Sequence, residues 1–280
     1  MPHTTTKQPS IPVMIDLTTI STPRDHAVVA TLGPIDPEQI AQATEAHVRT
    51  LPIVNGNRPS GGAISVAALA ELAASKTALT IDHATTKCEH FPHLVPVSTL
   101  LRALADHGIV VHAGDPEHVT DDTWFGIVTP ADCNRPIFRA HVYQMIVILE
   151  TSLGQLIMDE FGDDWGAIRL LSDHTQSRIR EFYDEERAEG VDLSPITNAT
   201  LSDLFHIAVS SNNVWKLMGF RHADVLRPIA QQINDLRNTI MHPVRPFIVN
   251  ERELHEHADA LEAVDTLTAN IMKRIGVETG

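Results

Sequence analysis

GIVTPAD, residues 126–132, ends a short apolar run and opens a turn. Gly126 permits close backbone approach, and Ile127 and Val128 read as the end of a strand. Thr129 and Asp132 stand three apart, the spacing of a capping box at a helix start. The same residues also suit an anionic sugar ligand. A helix N-terminus offers free N–H groups, Thr129 adds a hydroxyl, and the Asp132 carboxylate can hold two ribose hydroxyls. The stretch alone leaves both readings open.

Its surroundings repeat. WFGIV (124–128) and IVVHAG (109–114) read as strands, preceded by a helix over VSTLLRALADHG (97–108) that stops at a glycine. About sixty residues earlier, Asp36-Pro37-Glu38 opens a helix to about Val48, with Asp36 as N-cap. LPIV (51–54), the turn NGN, the strand GGAIS (61–65) and the helix VAALAELAAS (66–75) follow. Helix, strand, strand, helix therefore occurs twice, with Gly62 and Gly126 at equivalent points.

The pattern resembles a tandem pair of cystathionine-β-synthase (CBS) repeats, small αβ modules that pair into a nucleotide-sensing disc. The resemblance rests on GIVTPAD and implies Gly126, Thr129 and Asp132 as ligand-binding residues. In the first repeat Ser65 matches Thr129, but Ala68 stands where the carboxylate belongs. The implied ligand is an adenosine-type molecule: AMP, ATP or S-adenosylmethionine.

From about Pro136 the rhythm changes to long helices, expected over 141–161, 163–190, 201–220 (with a break near Ser211-Asn212-Asn213), 227–242 and 252–275. FIV (247–249) is the remaining strand candidate. The fold class expected is α+β, an αβ domain followed by an all-α bundle. The expected divisions are a flexible leader at 1–10, the repeats at 11–135 with the second from about 94, and the bundle at 136–280.

The fourth helix ends in LRNTIMHP (236–243). Asn238 and His242 are four apart and share a helix face, and Arg237 is long enough to reach the same point. Pro243 disfavours helical geometry at His242, which places the imidazole at the negative end of the helix dipole. A guanidinium beside a proton-exchanging histidine suits phosphodiester chemistry. Arg and His in a last turn are also ordinary C-cap residues.

The motif resembles that of the HEPN superfamily, in which Arg, a polar residue and His close a helix of an α-bundle. That resemblance implies a homodimer or higher even oligomer, with two motifs facing each other across a two-fold axis. It implies metal-independent endoribonuclease activity on RNA: Arg237 stabilises charge at the phosphate, His242 moves protons, and Asn238 orients one of them. Glu150, on the first helix of the bundle, is the implied acidic support for Arg237. No cofactor or metal is expected for catalysis, and a stress or phage-defence role is plausible from the family. A non-catalytic binding or dimerisation module, and a nucleotide-transferring helical domain, remain alternatives.

The formal charge of −15 disfavours a broad surface that coats nucleic acid. Between Lys216 and Arg245 the balance reverses, with five cations against two carboxylates, and the RN-His motif lies inside this island. Two cysteines make no disulfide framework, and MPHTTTKQPS has no apolar signal region, so a cytoplasmic protein is expected. No apolar run has membrane-spanning length. His83, Cys88, His90 and His93 crowd one connector, but their spacing matches no standard zinc pairing and reads as a polar loop. Trp124, Trp165 and Trp215 read as core or interface residues rather than base-stacking platforms.

Overall fold

The computed structural model describes residues 13–46, 48–55, 58–113, 124–191 and 193–276. The expected leader at 1–10 and most of the NGN turn lie outside them. The described chain is mixed α+β and forms two compact units. One comprises Met14–His141 with Pro246–Ala258; the other comprises Val142–Arg245 and 259–276.

The αβ unit runs β1 (Met14–Asp16), β2 (Thr22–Pro23), β3 (Ala30–Thr31), α1 (Pro37–Glu45), β4 (Thr50–Asn55), β5 (Arg58–Ser65) and α2 (Val66–Ala74). It continues with β6 (Thr86–Lys87), β7 (Glu89–Phe91), β8 (Leu94–Pro96), α3 (Val97–His107), β9 (Val110–Ala113) and β10 (Trp124–Val128). The chain then enters α4 (Pro136–Phe161), α5 (Asp164–Ile168), α6 (Asp173–Ala188), α7 (Leu201–Ser210), α8 (Val214–Leu217), α9 (Ala223–Met241) and α10 (Glu251–Arg274).

Two four-stranded sheets carry the repeat. Their orders are β3-β4-β5-β6 and β7-β9-β10-β2. Each begins with a parallel pair and continues with two antiparallel ones. The fourth strand of each sheet comes from outside the helix–strand–strand core. In the first sheet it is β6, from the connector. In the second it is β2, from before the first repeat. Gly62 and Gly126 mark why. A Cβ on Gly62 would meet Ile81 and Ala84 beside β6, and one on Gly126 would meet Ser21 and Thr22 beside and in β2. The His/Cys connector is thus not a loop. It supplies β6 and β7, because the Thr86-Lys87 backbone completes the β5 ladder.

Side-chain alternation along β4 and β5 assigns their faces. Leu51, Ile53 and Ile64 pack with Ala43 of α1 and Leu69 of α2. Val54 and Ala63 join Val111, Trp124 and Ile127 of the second sheet. Asp36 caps α1 through the Glu38 N–H, and Gly108 ends α3 in the left-handed region at φ 74°.

In the helical unit, apolar residues at helical spacing face inward. They include Ile146, Leu149, Leu153 and Ile157 of α4, Leu204, Phe205 and Ala208 of α7, and Leu226, Ala230, Ile233, Leu236 and Ile240 of α9. The expected helix over 163–190 is two helices. Asp163 caps α5, and Ser172 opens α6 by accepting from the Thr175 N–H. The break near 211–213 is present, between α7 and α8. α4 begins at Pro136, five residues early, with proline in its favoured first helical position. α9 begins at Ala223 rather than 227, with Asp224 in its first turn, where a carboxylate suits the helix dipole. FIV forms no strand. Its Ile248 instead exchanges two hydrogen bonds with the Asn134 amide, at 2.8 and 3.1 Å.

Candidate functional site

α9 carries the basic motif to its last turn. Leu236 and Ile240 are buried, which holds this face of the helix in the core. Arg237 on the neighbouring face is half-buried, and Asn238 is exposed. His242 ends the helix as its C-cap, with φ −107° and ψ 77°, and its side chain is exposed. Its carbonyl accepts from the Arg245 N–H at 3.1 Å, so the chain turns directly after Pro243.

Glu150 of α4 lies within electrostatic reach of Arg237. Burial raises the Glu150 pKa above the usual carboxylate range. The Arg237 charge and a hydrogen bond from the Leu201 N–H pull the other way. Leu201 is the first residue of α7, so the Glu150 carboxylate of α4 is tied to the start of α7 and lies within the electrostatic reach of α9. The start of α7 is further fixed by Thr200 and Asp203, which form a capping box. Asp203 in turn accepts from Arg178 of α6 at 2.6 Å. Neither Leu201 nor Arg178 was marked by the sequence. A backbone donor has no side-chain signature, and an Arg–Asp pair separated by twenty-five positions has no periodicity.

The residues expected to bind a nucleotide are in the αβ unit. Thr129 and Asp132 form the capping box. The Thr129 N–H and hydroxyl both donate to Asp132 Oδ2 at 2.9 Å, and Arg135 pairs with Oδ1 at 2.9 Å. Both carboxylate oxygens are thus engaged within one turn, and Asp132 is buried. Gly126 is buried under β2. Ser65 caps α2 through the Ala68 N–H at 3.1 Å, and its own N–H donates to Thr85. The equivalent places of the two repeats therefore hold the same kind of cap, one with a carboxylate and one without.

No family model matches the chain, and no curated protein matches it. Among solved structures, it is similar to the CBS domain of a bacterial CNNM/CorC family Mg2+ transporter in complex with ATP. The similarity has 16% identity and a TM-score of 0.35, and covers 46% of this chain and 87% of that one.

The His/Cys connector residues are engaged separately. His83 Nδ1 accepts from the Thr80 N–H at 3.0 Å, and Cys88 is buried with its thiol 3.8 Å from the Ile109 carbonyl. His93 pairs instead with His112, its Nδ1 2.7 Å from His112 Nε2, with Phe125 against both rings. Trp124 and Trp215 are buried. Trp165 is not. It is half-buried and lines a surface cleft, so it is not a core residue. No helix among the described residues is long and apolar enough to cross a membrane.

Proposed function

We propose that the chain is a nucleotide-regulated, metal-independent endoribonuclease: a CBS-type pair of repeats joined to a HEPN-type bundle. The observation that carries this reading is the cluster at the end of α9. A half-buried Arg237 acts on the Glu150 carboxylate, while Asn238 and His242 stand exposed beside it. The half-buried Glu150 carboxylate lies within electrostatic reach of the guanidinium, and the exposed Asn238 and His242 side chains are accessible to substrate.

Two copies bring two motifs to one RNA phosphate. Arg237 offsets the charge that grows on the phosphate oxygens. His242 takes the proton of the 2′-OH as that oxygen attacks phosphorus. The P–O5′ bond breaks, and the partner's His242 returns a proton to the departing oxygen. Asn238 orients the imidazole. The product ends in a 2′,3′-cyclic phosphate.

An adenine nucleotide at the Gly126–Asp132 turn is the proposed regulator. Arg135 ends this turn and Pro136 begins α4, which runs unbroken to Phe161 and carries Glu150. That continuity supports coupling between ligand and cleavage. Regulation requires the nucleotide to favour one arrangement of the protein over another.

The test is cleavage of a mixed RNA pool in EDTA by wild type and His242→Ala, with and without ATP or AMP. Cutting that survives EDTA and disappears in the variant is expected. No cutting under any ligand overturns the ribonuclease and leaves a binding or dimerising module. Equal rates with and without saturating nucleotide overturn the regulation alone.

A further inference from the structure

The break between α5 and α6 folds a cleft into the surface of the helical unit. It measures about 480 Å3 and is lined by Asp163, Trp165, Arg169, Gln176, Arg180 and Asp184. That volume falls within the roughly 300–1,000 Å3 of small-ligand sites. We propose that this cleft binds a guanine nucleotide, either free or as a residue of RNA.

Trp165 is the aromatic residue of the lining. The Arg180 guanidinium lies 5.0 Å from the centre of the Trp165 ring, and Tyr183 meets that ring edge-on at 5.6 Å. A nucleobase stacks on such an indole–guanidinium layer. The two carboxylates differ. Asp163 is committed to capping α5, accepting from the Trp165 N–H at 3.1 Å. Asp184 has no hydrogen-bond or ion-pair partner among the described residues. It stands four residues after Arg180, yet Arg180 is turned to the indole and leaves it unpaired.

A free carboxylate beside a stacking surface selects one base. Guanine presents two adjacent donors, N1–H and the exocyclic N2–H, which match two carboxylate oxygens. Adenine and cytosine place a ring-nitrogen acceptor beside their single amino group, and uracil flanks its one N–H with carbonyls. Each of these sets an acceptor against the carboxylate. The Arg169 guanidinium is likewise without a hydrogen-bond or ion-pair partner among the described residues and supplies the charge for a phosphate. The proposal does not rest on the ribonuclease reading, because none of these residues belongs to the α9 cluster.

The experiment is calorimetric titration of the full chain with GMP, AMP, CMP and UMP. A hexaribonucleotide containing guanine and one of adenine alone form a second arm. Asp184→Asn and Arg169→Gln are titrated alongside; both positions are exposed, so neither change opens the core. The expected result is saturable binding that prefers guanine. Asp184→Asn should reduce GMP affinity by roughly 5- to 150-fold, the span of one bidentate base contact. Tighter binding of the guanine hexamer than of GMP assigns the cleft to RNA, and the reverse assigns it to the free nucleotide. Absence of guanine preference overturns the proposal, as does GMP binding that both variants leave unchanged.

Discussion

Replacing Gly126 by alanine tests the closure of the second sheet. The added Cβ would stand 2.4 Å from the Thr22 carbonyl oxygen, 3.0 Å from Ser21 Oγ and 3.2 Å from Ser21 Cβ. A carbon–oxygen contact relaxes at about 3.3 Å, so the β2 backbone has to retreat by roughly 1 Å. Overpacking of this kind costs about 1–3 kcal/mol. The displaced strand also loosens its antiparallel pairing at Gly126↔Pro23 and Ile127↔Thr22, at roughly 1 kcal/mol for each hydrogen bond weakened. The expected loss is about 3 kcal/mol, a large share of the 5–15 kcal/mol typical of folded domains. Gly62→Ala is the internal control. Its nearest neighbours are Ala84 Cβ and Ile81 Cδ1, both at 2.9 Å; the exposed Ile81 tip can turn outward, whereas Ala84 Cβ gives way only with its own backbone, by roughly 0.5 Å. It should cost about 1–2 kcal/mol, less than Gly126→Ala because the required backbone retreat is smaller. Urea unfolding followed by circular dichroism measures both. A Gly126→Ala protein within about 0.5 kcal/mol of wild type, or a reversed ranking, would refute the argument that β2 clamps this position.

Three further outcomes are expected. Both cysteines should resist Ellman's reagent until the protein unfolds, since burial pushes the Cys88 thiol up to about 12 and raises Cys133 well above its ordinary value; rapid labelling of native protein would contradict this. His112 is buried against His93 and Ser21, and burial, with help from His93, depresses its pKa to about 4. It is neutral in both states above pH 6.5. From there down to about 4 only the unfolded chain takes the proton, so stability should fall by up to roughly 3 kcal/mol across that window. His112→Gln should flatten the slope, measured by urea unfolding at pH 7.5, 6, 5 and 4.5, and an unchanged slope would count against it. Glu150→Gln removes the carboxylate facing Arg237 while keeping an acceptor for the Leu201 N–H. It should therefore lower RNA cleavage about tenfold or more with little change in Tm, the scale of losing one charge-assisted contact; full activity would remove Glu150 from the site.

Much of this architecture could be read from local pattern. LPIV, WFGIV and the Gly108 stop each declare themselves within a few residues. β2, β3 and β6 do not. Each is two residues long, and what makes it a strand is a partner elsewhere in the chain. The Arg237–His242 spacing was legible for the same local reason, whereas Glu150 was reached only through a family resemblance. Trp165 shows how one boundary error propagates. On a single helix over 163–190, Trp165 and Arg180 would stand roughly 22 Å apart along the axis. The cap at Ser172 folds the chain back and brings them to 5.0 Å, and no periodicity argument reaches that contact.

The provenance of β2 also bears on how the protein is made. Thr22 leaves the ribosome roughly a hundred residues before Ile127, its partner across the ladder. The first sheet can complete itself within its own repeat and the connector, but β2 must wait without its sheet partner until β10 emerges. During that interval the β2 segment is open to pairing with a neighbouring chain. Exchange of β2 between two nascent copies would satisfy the same hydrogen bonds. A circular permutant that begins within the connector and joins the old termini would deliver β2 roughly 175 residues after β10, so there it is the β10 edge that stays open until β2 arrives.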